Sequence, residues 1–161
     1  MSKVSGQFST IVDIDGVTLG VSSTAATAAY ADNDLVGSLM TVNVGKSGIL
    51  QFLTLQDLSA QNAALEVLVF TSNPGSTTFT DNAAVDVADA DLPRCKFQFS
   101  IGAGDYVSLA DNSIGTVKNL ALPYATADGN LYVALRSAAA TPTYTASELS
   151  ATFGLLVDLG L

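Results

Sequence analysis

Two-residue alternation, in short segments cut apart by turn residues, constrains this chain more than any other feature. Successive side chains of a β-strand point to opposite faces, so alternating apolar and polar residues mark a strand with one buried face. Phe97, Phe99 and Ile101 alternate with Lys96, Gln98 and Ser100. Leu65, Val67 and Val69 alternate with Ala64, Glu66 and Leu68, and Leu131, Val133 and Leu135 make a shorter set. Near the C-terminus Leu149, Ala151, Phe153, Leu155 and Val157 fall on one face. The run 49–55 is apolar at both parities, which predicts a strand covered on both sides. Weaker strand patterns run over 39–44 and 116–122.

Turn residues separate these segments. Asn73-Pro74-Gly75, Gly102-Ala103-Gly104 and Thr141-Pro142-Thr143 are such breaks. Asp15-Gly16 joins 8–14 to 17–21 as a hairpin, since Asp-Gly suits the positive φ angles of a two-residue turn. Asp128-Gly129 is a similar turn before Leu131. Helix is restricted to single turns. Thr80 or Asp81 caps one over 82–85, and 89–92 forms another, stopped by Pro93. The Ala-rich stretch 24–31 reads as a loop or a short helix. The expected fold is all-β: a two-sheet antiparallel β-sandwich, jelly-roll-like, with at most short helical turns. A length of 161 residues favours one domain over 1–161, with residues 1–21 as an N-terminal arm or hairpin used in assembly.

Charge narrows the partners. Six basic residues against fifteen acidic ones leave a formal charge of -9. Phosphate backbones and anionic lipid surfaces are bound by clustered Lys and Arg, so neither nucleic acid nor membrane is an expected partner. No apolar run approaches the roughly 18 residues of a membrane span. The start Met1-Ser2-Lys3 leads into polar sequence without a signal-peptide core, so synthesis in a cytoplasm without export is expected. Hydrophobic residues reach 48% against 13% charged, the reverse of a disordered chain.

Catalytic chemistry finds little footing. The chain has no histidine, which excludes Ser-His-Asp and Cys-His catalysis and histidine metal ligation. The single cysteine, Cys95, shares the parity of Phe97 and Phe99 and reads as a buried structural thiol. Gly45-Lys46-Ser47 resembles the end of a phosphate-binding loop, but Met40 stands where the pattern needs glycine and strand follows instead of helix; a hairpin turn is the better reading. Asp81, Asp86, Asp89 and Asp91 are dense enough to suggest calcium, although they match no EF-hand loop and aspartates also serve turns. Asp13-Ile14-Asp15-Gly16 and Asp32-Asn33-Asp34 are further acidic turns. Sugar contacts through Tyr106, Tyr124, Tyr132 or Tyr144 find weak support, since there is no tryptophan to stack on a ring. No enzyme activity and no cofactor is expected.

One ordered set of segments resembles a known family. Gln61-Asn62-Ala63-Ala64-Leu65 runs into an apolar strand ending Phe70-Thr71-Ser72-Asn73-Pro74. Thr77-Thr78-Phe79-Thr80-Asp81-Asn82-Ala83-Ala84 and Asp89-Ala90-Asp91-Leu92 follow. Then come Gly115-Thr116-Val117-Lys118-Asn119-Leu120-Ala121-Leu122-Pro123 and Leu131-Tyr132-Val133-Ala134-Leu135. This order, over 35–158, is similar to small structural proteins of tailed bacteriophages. The resemblance implies a decoration or cement protein on the virion's capsid surface, bound to the major capsid protein and to itself. A homotrimer at local three-fold positions is expected, because closed cyclic symmetry satisfies identical surfaces. The alternative is a tail, fibre or baseplate component binding host-surface glycan.

Overall fold

The computed structural model describes residues 17–21, 28–138 and 141–157. These form ten strands: β1 (Val17–Gly20), β2 (Met40–Asn43), β3 (Ser47–Asp57), β4 (Leu65–Phe70), β5 (Cys95–Ile101), β6 (Tyr106–Leu109), β7 (Asn112–Val117), β8 (Leu122–Ala125), β9 (Asn130–Ser137) and β10 (Leu149–Val157). Single 3-10 turns at Leu92–Arg94 and Ala103–Asp105 are the helical pieces among the described residues.

The strands make two antiparallel sheets. The larger runs β1-β10-β3-β7-β6, with β8 also paired to β3; the smaller runs β2-β9-β4-β5. The pairs are nested. Setting β6 and β8 aside, first pairs with last (β1 with β10), second with next to last (β2 with β9), then β3 with β7 and β4 with β5. Successive pairs alternate between the two sheets, which is the jelly roll expected of the sequence.

The alternating residues meet between the sheets. Leu65, Val67 and Val69 of β4 and Leu131, Val133 and Leu135 of β9 face Leu50, Leu53 and Leu55 of β3 and Leu149, Ala151 and Phe153 of β10, none more than 1% exposed. Each large aliphatic side chain so buried contributes roughly 1.5–3 kcal/mol against the entropy of ordering the chain. The opposite parity of the smaller sheet is also covered. Leu68, Phe70 and Ala134 pack with Leu35, Phe79, Val85 and Val87, because the 71–94 connection folds across the outside of that sheet. Phe70 and Phe79 meet edge to face, ring centroids 5.9 Å apart.

Several local expectations are corrected. Among the described residues run 49–55 is covered on one side: Gln51 is an extra residue where the β10–β3 register shifts, and Leu50, Leu53 and Leu55 alone turn inward. Cys95 leaves the face of Phe97 and Phe99. A register shift between Val69 and Phe70 puts it opposite Phe70, in the outer cluster. Residues 82–85 form no helix: Asn82 lies in a turn at a positive φ of 56°, and Leu35 N donates to Ala83 O and Val85 N to Asn33 O in a bridge centred on Asp34 and Ala84. Pro93 lies inside its 3-10 turn rather than stopping one, at a position where its missing N–H costs nothing. Gly45-Lys46-Ser47 is no hairpin, since β2 and β3 belong to different sheets. The 116–122 pattern splits into the end of β7 and the start of β8, with Asn119 and Ala121 at positive φ between them. Residues 17–21 belong to the sandwich, through β1 and the buried Val21, and residues 1–16 lie outside the described residues. Residues 8–14 and 22–27 lie outside the described residues.

Candidate interaction face

The two sheets treat charge differently. Across the six strands of the larger sheet, Asp57 is the only Asp, Glu, Lys or Arg, and it points inward, fully buried. The smaller sheet carries Glu66, Lys96 and Arg136 on its outer side, with Arg136 paired to its cross-strand neighbour Glu66. In a chain of formal charge -9, one whole sheet face is therefore free of charge.

That face is built from the parity the core does not use. Ser150 and Thr152 of β10, Thr54 and Gln56 of β3 and Thr116 of β7 stand side by side in register. Thr54 Oγ1 and Thr116 Oγ1 are 3.1 Å apart, and Ser150 Oγ donates to Gln56 Oε1 at 2.6 Å. Phe52 lies over Gly154, where any Cβ would collide with its ring. The aromatic thus fills the gap that a glycine leaves in a strand. Toward β6 the face turns apolar. Val107 is 64% exposed and stands opposite Ile114, itself 38% exposed; Leu109 is 49% exposed. A partner can cover such a surface without stripping water from an ion, the costly step in burying polar ground. The outer sides of β3, β7 and β10 have no covering segment among the described residues, unlike the smaller sheet.

The candidate metal ligands do not gather. Asp91 is fully buried and accepts from Ser76 N (2.8 Å), Thr77 N (2.7 Å) and Thr77 Oγ1 (2.8 Å), and pairs with Arg94 Nη1 at 2.7 Å. Burial works to raise its pKa, but the Thr77 hydroxyl, the two amides and Arg94 outweigh burial and hold it below the ordinary carboxylate value. Asp81 Oδ1 accepts from Tyr30 Oη and Gly37 N, both at 2.8 Å. Asp86 and Asp89 point to solvent. Among the described residues no three His, Cys, Asp or Glu side chains converge on a metal position. Asp81 and Asp91 instead pin the 71–94 cover to the body. Asp34 serves its own turn, accepting from Ala31 N at 2.8 Å. Asp13 and Asp15 lie outside the described residues.

The remaining candidates are structural. Burial pushes the Cys95 thiol above its usual pKa, away from thiolate chemistry. Lys46 O accepts from Thr126 N at 2.8 Å, and Gly45 supplies a positive φ of 75°. Tyr124 and Tyr144 are buried, Tyr106 donates to Ala63 O at 3.0 Å, and Tyr132 donates to Asp128 at 2.6 Å. None of the four presents a free ring for stacking on a sugar. No helix among the described residues is long and apolar enough to cross a membrane.

The charge-free sheet was within reach of sequence reasoning. Apart from Asp57, Glu66, Lys96 and Arg136, the acidic and basic residues of the described segments fall in the connections, and the strands of the larger sheet could have been compared for charge. Grouping those strands needed the pairing, which one sequence does not supply. No protein-family model matches the chain, and no curated protein matches it significantly.

Proposed function

We propose that this protein is a bacteriophage virion structural protein, a decoration or cement protein that binds the outside of the major capsid protein shell as a homotrimer. The observation that carries the proposal is the uncharged outer face of the six-stranded sheet. Interface cores are depleted of charge, whereas a free acidic domain would be expected to distribute charge over both outer faces. Two further points support the reading. The sandwich is a jelly roll, an architecture used by viral shell proteins and also by lectins and cupins. The sequence segments from Gln61 to Leu135 resemble small structural proteins of tailed phages.

Quantitative mass spectrometry of purified particles tests the proposal. A decoration protein follows shell symmetry and is present on the order of hundreds of copies. A count of tens or fewer would reassign the chain to a tail part. The face itself is tested by Thr54→Lys combined with Thr152→Lys. The double variant should fold normally and fail to co-sediment with shells.

A further inference from the structure

We infer that the open edge of β6 is a docking edge for an extended segment of a partner protein, apolar at alternate positions and basic at both ends. The inference deepens the assembly reading, and rests on it, only in taking the segment from a shell protein; the edge itself is argued from β6 and its surroundings.

Among the described residues β6 pairs with β7 on one side and with nothing on the other. Sheet edges usually carry a guard against strand addition: a lysine, a proline, a bulge or a covering loop. β6 is short, at four residues, but Tyr106-Val107-Ser108-Leu109 holds no lysine, proline or bulge, and no segment among the described residues pairs with its open side. The edges of the smaller sheet differ, since β5 carries Lys96 and β2 exposes Thr41 and Asn43. β6 exposes instead Val107 and Leu109, with Ile114 beside Val107 on β7.

The main chain is suitably turned. Leu109 and Asn112 close a two-residue connection and are register partners. In such a hairpin the closing pair exchanges its main-chain bonds, and antiparallel ladders alternate bonded with non-bonded pairs. The amide and carbonyl groups of Tyr106 and Ser108 therefore face the open side. An added strand bonds to these groups and lays alternate side chains beside Val107 and Leu109.

Charge selects the occupant. Asp105 and Asp111 stand exposed at the two ends of β6. Antiparallel pairing with a second copy brings acidic end to acidic end. A segment with Lys or Arg at each end finds a carboxylate at each end.

The test titrates the isotope-labelled full chain with the synthetic peptide Lys-Val-Thr-Val-Thr-Val-Lys and with its counterpart carrying Glu at both ends. The basic peptide should shift the amide resonances of Tyr106 and Ser108, and the acidic one should bind roughly tenfold more weakly. Val107→Lys should keep the wild-type Tm and lose the peptide. Ser108→Pro removes an outward N–H at an edge position that tolerates proline, and should also lose it. Equal binding of both peptides, shifts confined to another edge, or wild-type affinity in either variant would overturn the inference. So would a concentration-dependent dimer abolished by Val107→Lys, which gives the edge to a second copy. On particles the two proposals separate. If Val107→Lys still decorates shells, the docking edge falls and the assembly reading stands; if the wild-type chain never decorates shells while the peptide results hold, the assembly reading falls and the edge stands.

Discussion

The hydroxyl of Tyr144 donates to the carboxylate of Asp57 over 3.1 Å, and neither residue has exposed surface. The bond ties the end of β3 to the segment before β10, across 87 positions of sequence. Asp57 also accepts from Ser59 N and Ser59 Oγ, both at 3.0 Å, and from Asn62 N at 2.9 Å. Four donors thus replace the water that burial removes from the charge. Gln61 adds a second tie, accepting from Thr143 N at 2.7 Å and donating to Thr143 O.

Tyr144→Phe takes one donor from a buried carboxylate and leaves the ring in place. Hydrogen bonds to charged groups are worth about 1.5–3 kcal/mol, and the loss should fall in that range. Urea unfolding measures it. Ser59→Ala should cost less, since Ser59 is half-buried and water can take the place of its hydroxyl, whereas Tyr144 is fully buried.

Alkali should unfold the protein through its tyrosines. Burial holds Tyr124 up to about 12. Burial and then the nearby Asp57 charge hold Tyr106 and Tyr144 higher still. A raised native pKa means the folded chain keeps protons that the unfolded chain has released. Stability is therefore intact below the unfolded value of about 10 and declines as pH climbs beyond it. Denaturant midpoints measured against pH should show that decline. Tyrosinate absorbance from these residues should appear together with unfolding.

At the acid end Asp91 dominates the 71–94 cover. Its lowered pKa means the unfolded chain takes up the proton first, so its contribution is present above the ordinary carboxylate range and fades as pH falls through it. Asp91→Asn should flatten this acid limb. It should also speed hydrogen exchange at Ser76 and Thr77, whose amides bond to the carboxylate.

Two glycines carry different loads. A Cβ at Gly115 would lie 2.7 Å from Ile101 Cδ1 and 2.8 Å from the Tyr106 ring, inside the core. Gly115→Ala should cost roughly 1–3 kcal/mol, as overpacking does. The nearest atoms to a Cβ at Gly154 belong to the Phe52 ring, which sits half-buried on the open face and can swing outward. Gly154→Ala should therefore cost less than Gly115→Ala in the same thermal melt.

Much of the fold was legible because core burial imposes period two. The Leu65, Phe97, Leu131 and Leu149 strands all lie where alternation put them. The errors cluster where two residues share the work of one. Gln51 and the Cys95 region break register, and no local pattern announces such a shift. Asp81 and Asp91 read as solvent-facing ligands because their donors, Gly37 and Thr77, lie 44 and 14 positions away. The exposed row on β6 escaped notice for a related reason. Val107 and Leu109 alternate like core residues, and only the position of β6 at the sheet's end leaves them uncovered.

The nested pairing of first strand with last also sets a timetable. Before the ribosome releases β10, β1 lacks its partner, β3 is paired on one edge alone, and β2 must wait for β9. Contacts this distant along the chain make for slow folding, in the millisecond-to-second range. The sandwich should therefore assemble only once β10 has been made, and a nascent chain stalled before residue 149 should remain sensitive to protease throughout.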